Sequence, residues 1–280
     1  MMRRILPLLV VLTAGCASLP FHRGEPMPTR SGNGGGNGRE LTVDEMRDAM
    51  AEARAAVPPA PATAPPKADD ARRIWQAALD AKGRRIVISR ESRALWLMDG
   101  DEITFRAPVA VGKHEPFSWA GRTYDFTTPI GHRKVLGKQA GPVWVPPDWH
   151  YFEIAAENNL EPVQLKAGSR IELEDGTRIE VRGSEVGRVN QFGNFWPFTP
   201  GNEIIFDGKI FIPPFGTSQR KVPEVLGTRK LDMGDGYLIH GTNVNSSIGD
   251  AVSHGCVRMF NEDVEWLYGE VATGTPVFVY

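Results

Sequence analysis

From Arg84 onward the chain is a succession of short apolar or alternating runs, each closed by turn residues, and this pattern confines it to a mainly β architecture. Ile86-Val87-Ile88, Leu95-Trp96-Leu97, Ile103-Thr104-Phe105 and Val109-Ala110-Val111 are too short for core helices and rich in residues that favour strands. Asp99-Gly100 punctuates this series. Further on, Asp175-Gly176 sits inside the alternating stretch Ile171–Val181, and Asp207-Gly208 separates Ile204-Ile205-Phe206 from Ile210-Phe211-Ile212. An Asp-Gly pair between alternating segments is a strong hairpin signal, because tight hairpin turns need positive φ angles that these residues tolerate. Short helices are predicted over Asp148–Asn159 and Asp263–Val271, with a last strand over Pro276–Tyr280.

The chemistry gathers near the C-terminus. The apolar run Tyr237-Leu238-Ile239 leads into His240-Gly241-Thr242, and after a polar loop comes Ser253-His254-Gly255-Cys256-Val257-Arg258-Met259. Structural cysteines usually sit among apolar neighbours. Cys256 is instead surrounded by groups able to tune a thiolate, the form that acts as nucleophile. A buried strand ending at His240 would deliver an imidazole to a loop where it can face that thiol as a general base. A zinc site built from His240, His254 and Cys256 is disfavoured, since the H-x-C spacing is not a familiar zinc signature and no fourth ligand is evident. No metal and no cofactor is expected.

The pair H-G-T and S-H-G-C-V-R-M resembles the signature of the L,D-transpeptidase catalytic domain (YkuD) family, cysteine enzymes acting on peptidoglycan stem peptides. Arg93–Gly100 and Ala107–Lys113 resemble the family's opening hairpin, and Thr128-Pro129-Ile130-Gly131 its T-P-x-G turn. The resemblance implies a β-sandwich or barrel-like fold and an acyl transfer. In that scheme Cys256 is the nucleophile and His240 its base, with the backbone around Gly241 orienting the imidazole in place of an acidic residue. Backbone N–H groups near Gly255 and Cys256 are candidates for the oxyanion hole. Arg258 would hold a substrate carboxylate, for which its planar fork is suited, while Ser253 and His254 shape the pocket. The stem peptide would lose D-alanine to an acceptor amine. Two other readings share these residues: hydrolysis at the same site (a carboxypeptidase, or an amidase freeing wall-bound lipoprotein), and a non-catalytic wall-binding protein.

Two departures from the family pattern are visible. Glu224-Val225-Leu226-Gly227 stands where many members have N-P-L-G. A β-rich insertion over about 160–223 carries Phe192, Phe195, Trp196 and Phe198, read either as the core of an extra β layer or as a lid over the cysteine.

The N-terminus reads as a targeting segment. Arg3 and Arg4 precede an apolar stretch from Ile5 to Leu12, well short of the roughly 20 residues that span a bilayer. Thr13-Ala14-Gly15-Cys16 resembles a bacterial lipobox, so residues 1–16 are expected to be a lipoprotein signal with Cys16 the lipidated residue. Plain secretion is the alternative. Ala17 is not the Asp that favours inner-membrane retention, which points to a periplasm-facing lipoprotein of the outer membrane. Lipidation of Cys16 would also explain why Cys256, the other of two cysteines, stays unpaired in an oxidising compartment. Residues 17–83 are read as a tether containing Gly/Asn-rich and Pro/Ala-rich runs, a polar and solvated helix over Thr42–Ala56, and an amphipathic helix over Asp69–Lys82. Residues 84–280 form the catalytic domain. The expected partners are peptidoglycan stems, the membrane through Cys16, and a wall-linked lipoprotein as one possible acceptor. The net charge of −2 without a basic run argues against nucleic acid.

Overall fold

The computed structural model describes residues 42–61 and 64–280. The signal segment, Cys16 and the Gly/Asn-rich run lie outside the described residues.

The domain is mainly β, as the hairpin signals require. Arg84–Ser89 pairs antiparallel with Ala94–Asp99 and parallel with Pro276–Val279, and Glu102–Pro108 and Gly131–Lys134 complete a five-stranded sheet. Its central strands read as unbroken apolar runs because both faces are covered. Ile86, Ile88, Leu95, Leu97, Val277 and Val279 face one core, while Val87, Trp96, Met98 and Phe278 face another. A second, four-stranded sheet runs Val257–Arg258, Leu238–His240, Arg229–Asp232, Gly137–Ala140. It gives Leu231, Ile239 and Val257 to the first core, and helix α4 (Asn261–Glu270 in chain order after three others) adds Val264 and Leu267. The two sheets thus share one core, to which the neighbours of His240 and Cys256, Ile239 and Val257, belong.

The described part of the expected tether is folded onto this domain. Helix α1 (Val43–Ala55) buries Met50 against Ala110, Ile248 and Phe260, so it is not the solvated helix anticipated from its polarity. Helix α2 (Asp69–Asp80) packs Ala71, Trp75 and Ala78 under the outer face of the five-stranded sheet. Trp96 Nε1 donates to the Pro58 carbonyl between them at 3.0 Å. Helix α2 packs through the apolar face its amphipathic pattern marks, Ile74, Trp75, Ala78 and Leu79, whereas α1 commits too few apolar residues to be read against its polar background.

The insertion holds a four-stranded sheet (Arg170–Glu172, Arg178–Arg182, Glu185–Val189, Phe195–Pro197) and a three-stranded one. In the latter, Ile204–Phe206 and Lys209–Ile212 are joined at Asp207-Gly208, both with positive φ (51° and 69°), as the hairpin signal predicts. Its core is Leu165, Leu173, Ile179, Val181, Val186, Ile204 and Phe211. Of the four aromatics expected there only Phe198 packs against this core; Phe192 and Trp196 are 77% and 53% exposed. Helix α3 (Asp148–Asn158) ties the insertion to the main domain. Fully buried Arg220 donates from Nε to the Pro146 carbonyl and from Nη1 to the Pro213 carbonyl, both at 2.8 Å, and from Nη2 to Asp148 at 2.5 Å.

Candidate active site

Strand register assembles the site. Leu238–His240 and Val257–Arg258 run parallel, with Ile239 opposite Val257 and His240 opposite Arg258. Side chains alternate along a strand, so Ile239 and Val257 enter the core while His240, Arg258 and Cys256, two residues before it, belong to the other face. Backbone bonds fix both strands. Met259 N–H donates to the His240 carbonyl at 2.8 Å, and Ala110 and Arg258 exchange a pair of bonds at 2.9 Å.

The His240 imidazole is buried and oriented by main chain, as expected for Gly241. Its Nδ1 lies 2.5 Å from the Gly241 carbonyl. A carbonyl oxygen can only accept, so Nδ1 carries the hydrogen and Nε2 keeps a free lone pair. The Gly241 N–H is engaged elsewhere, donating to the Arg229 carbonyl at 3.0 Å. Burial pushes the imidazole down to about 4, helped by the nearby Arg258 charge and opposed by the Gly241 hydrogen bond. At neutral pH it is an uncharged base.

Cys256 is a free, half-buried thiol. Its neighbours were expected to favour the thiolate. Instead burial pushes the thiol up, outweighing a Leu238 backbone hydrogen bond and the charge of Arg258. The resting pair is therefore thiol and neutral imidazole. Arg258 is partly buried, with its pKa lowered by desolvation, and its guanidinium has no carboxylate partner among the described residues. A partly buried, unpaired guanidinium suits an incoming carboxylate.

The loop before Cys256 is braced rather than open. Ser253 Oγ donates to the Cys256 carbonyl at 2.5 Å and accepts from the Gly255 N–H at 3.2 Å. Ser253 thus clamps the loop that carries Cys256, and the Gly255 N–H is already bonded within that loop. Gly255 itself is required: at φ +109° a Cβ would lie 2.7 Å from the Tyr237 ring. Buried Thr128 of the T-P-x-G turn accepts the Gly112 N–H at 2.7 Å, and Lys113 N–H donates to the Ser253 carbonyl at 2.8 Å.

His254 turns toward helix α3. Its Nε2 is 2.7 Å from Glu153, whose other oxygen takes Lys113 Nζ at 2.9 Å. The ring stacks on Trp149 and meets Phe126 edge-on, both with centroids 4.5 Å away. These partners brace the loop through His254. The Lys113–Glu153 pair is polar with little exposure, and Glu153 stays below the usual carboxylate range because His254 and Lys113 hold it against burial. His114 meets Arg90, His132 stacks on Phe278, and His150 packs against Trp144; none joins the cysteine site.

Two positioning residues had no readable signal. Glu153 is one acidic residue in a helix, with its partner His254 101 positions away. Asn261 opens α4, where its Oδ1 accepts from Thr228 N–H and its Nδ2 donates to the Thr242 carbonyl, both at 3.1 Å. It packs so closely on the histidine turn that a Cβ at either Gly227 or Gly241 would fall 2.2 Å from Asn261 Oδ1. That crowding explains the glycine ending Glu224-Val225-Leu226-Gly227.

The family model described as the L,D-transpeptidase catalytic domain, YkuD, matches residues 83–279. An Escherichia coli K12 protein named "Probable L,D-transpeptidase YbiS" is 27% identical over 195 residues, which cover 69% of this chain and 42% of that protein. "Probable L,D-transpeptidase ErfK/SrfK" of the same organism is 44% identical over 52 residues, 19% of this chain and 17% of its own. The match thus spans less than half of either relative. A solved L,D-transpeptidase of Xylanimonas cellulosilytica is similar over 76% of this chain and 70% of its own, at 17% identity and a TM-score of 0.38. With the family model covering most of its length, and with the histidine turn and cysteine loop paired on adjacent strands, this chain belongs to the L,D-transpeptidase catalytic domain (YkuD) family.

Proposed function

We propose that the chain is a peptidoglycan L,D-transpeptidase working through a thioester on Cys256, with His240 as its base. The observation that carries this reading is the His240 imidazole, pinned through Nδ1 to the Gly241 carbonyl with Nε2 free, on the strand beside Cys256. Nε2 takes the thiol proton as Sγ bonds to the carbonyl carbon of the stem's scissile amide. The tetrahedral oxyanion is met by the Cys256 N–H, since the Gly255 N–H is already used. The imidazolium returns its proton to the departing D-alanine amine, which leaves a thioester. An acceptor amine then attacks the thioester carbonyl, giving a proton to His240, which passes it to the released thiol. Arg258 holds a stem carboxylate. On sequence grounds the chain is placed as a periplasm-facing lipoprotein anchored through Cys16, with another stem or a wall-linked lipoprotein as acceptor.

The test is product analysis by mass spectrometry after incubating the chain with purified disaccharide-tetrapeptide, with Cys256→Ala as control. A crosslinked dimer lacking one D-alanine, absent with Cys256→Ala, is expected. Tripeptide alone would replace transpeptidation with hydrolysis. Untouched tetrapeptide would overturn the reading.

A further inference from the structure

The family match begins at residue 83, yet helix α1, which ends at Ala55, packs against Ala110, Ile248 and Phe260, in segments that flank the strands and loop carrying His240 and Cys256. We propose that α1 belongs to the catalytic apparatus, with Arg54 a positioning residue that holds the start of α4 and, through Asn261, the His240–Gly241 turn. This rests on the roles given above to Cys256 and His240.

Three sets of contacts converge. Met50 is buried against Ala110, the residue whose backbone exchanges two hydrogen bonds with Arg258. It is equally against Ile248, in the loop that joins His240 to Cys256, and Asn245 of that loop reaches Met46 Sδ at 3.4 Å. Arg54 completes the set. Its Nη2 and Nε lie 3.0 and 3.2 Å from Asp263 Oδ1, and its guanidinium carbon sits 5.3 Å from the centre of the Phe260 ring.

The last contact leads inward. Phe260 lies between Met259, whose N–H holds the His240 carbonyl, and Asn261, whose amide bridges Thr228 and Thr242. Asn261 Oδ1 presses on Gly241, whose carbonyl orients the imidazole. Asp263 is nearly buried, and its carboxyl is pushed up by desolvation and drawn back by Arg54. Without the guanidinium, that carboxylate would be left unpaired at the first turn of α4, where relaxation shifts Asn261. Small displacements of a general base cost turnover far more than binding.

The experiment uses the full chain in detergent, with Arg54→Ala, Arg54→Lys and, as a surface control on the same helix, Arg47→Ala. Three quantities are read: kcat and KM on disaccharide-tetrapeptide, the rate of Cys256 alkylation by iodoacetamide, and the melting temperature. Arg54→Ala is expected to lower kcat about tenfold with KM within about twofold, and to change the alkylation rate. Arg54→Lys should recover most of the loss, and Arg47→Ala should match the parent. A lower melting temperature with parental kcat and alkylation rate would reduce α1 to packing and overturn the proposal. Should Arg54→Ala not fold, Asp263→Asn gives the same reading: reduced kcat supports the proposal, parental kcat sinks it. If the parent chain turns over no stem, the proposed function fails, and the alkylation rates alone decide the positioning role.

Discussion

At the residue scale, the proposed His240–Cys256 pair is legible in the sequence and its electrostatics is not. The two residues stand out by type and by their flanking glycines, and the structure sets their segments side by side. Which pKa effect wins depends on burial, and burial depends on packing from residues such as Tyr237 and Arg258 that pattern reading cannot rank. The neighbours of Cys256 were read as stabilising a thiolate, whereas desolvation dominates and holds the thiol protonated. This predicts a specific pH dependence: iodoacetamide alkylation of Cys256 should still be climbing at about pH 9, with no plateau near neutrality. A plateau reached by about pH 7 would instead indicate a preformed thiolate–imidazolium pair. The neutral imidazole persists to low pH, so the acid limb of kcat/KM should fall near pH 4, where His240 protonates.

At the element scale, the hairpins were readable from Asp-Gly pairs, but the bracing between elements was not. The insertion forms its own core, as one of the two sequence readings held, yet it leaves Phe192 and Trp196 outside it. Its link to the site runs through α3, which Arg220 fixes at one end and which presents Trp149 and Glu153 to His254. The turn at Gly227 offers a clean test of how tightly the histidine strand is boxed in. A Cβ there would meet Asn261 Oδ1 at 2.2 Å and the backbone of Gly241 and Thr242 at 2.5 Å, whereas Gly208 has comparable positive φ and open space. Gly208→Ala should therefore cost only conformational strain, about 1–2 kcal/mol. Gly227→Ala adds crowding and should cost at least about 2 kcal/mol more, read by denaturant unfolding. Equal losses would show that the turn yields and that Asn261 does not hold it rigidly.

At the scale of the whole molecule, the mainly β class was legible because strands dominate a run with regular turn signals. The amphipathic face of α2 was legible too, but the packing of α1 was not, because it commits only Met50 and a partly buried Ala53 to the domain, and a polar helix with two such contacts reads as solvated. A global consequence of burial is also measurable. His240 and His150 both have folded values near 4 against an ordinary 6.5. The unfolded chain takes up those protons first, so stability is full above pH 6.5 and is lost as pH falls toward 4. Each imidazole contributes a slope of up to about 1.4 kcal/mol per pH unit in that window. Asp263, raised by burial, works in the opposite sense, while Glu153, held below the usual carboxylate range, works with the imidazoles. Denaturant midpoints should fall between pH 7 and pH 4.5; midpoints that hold constant would mean the imidazoles are not buried as neutral groups.

The most direct test of the central claim is intact-protein mass spectrometry of the chain mixed with disaccharide-tetrapeptide and quenched in acid. Expected is an acyl adduct that lacks D-alanine, maps to Cys256, is released by hydroxylamine, and forms much more slowly in His240→Ala. Tetrapeptide turnover that continues in Cys256→Ala, with no adduct on the parent chain, would contradict it.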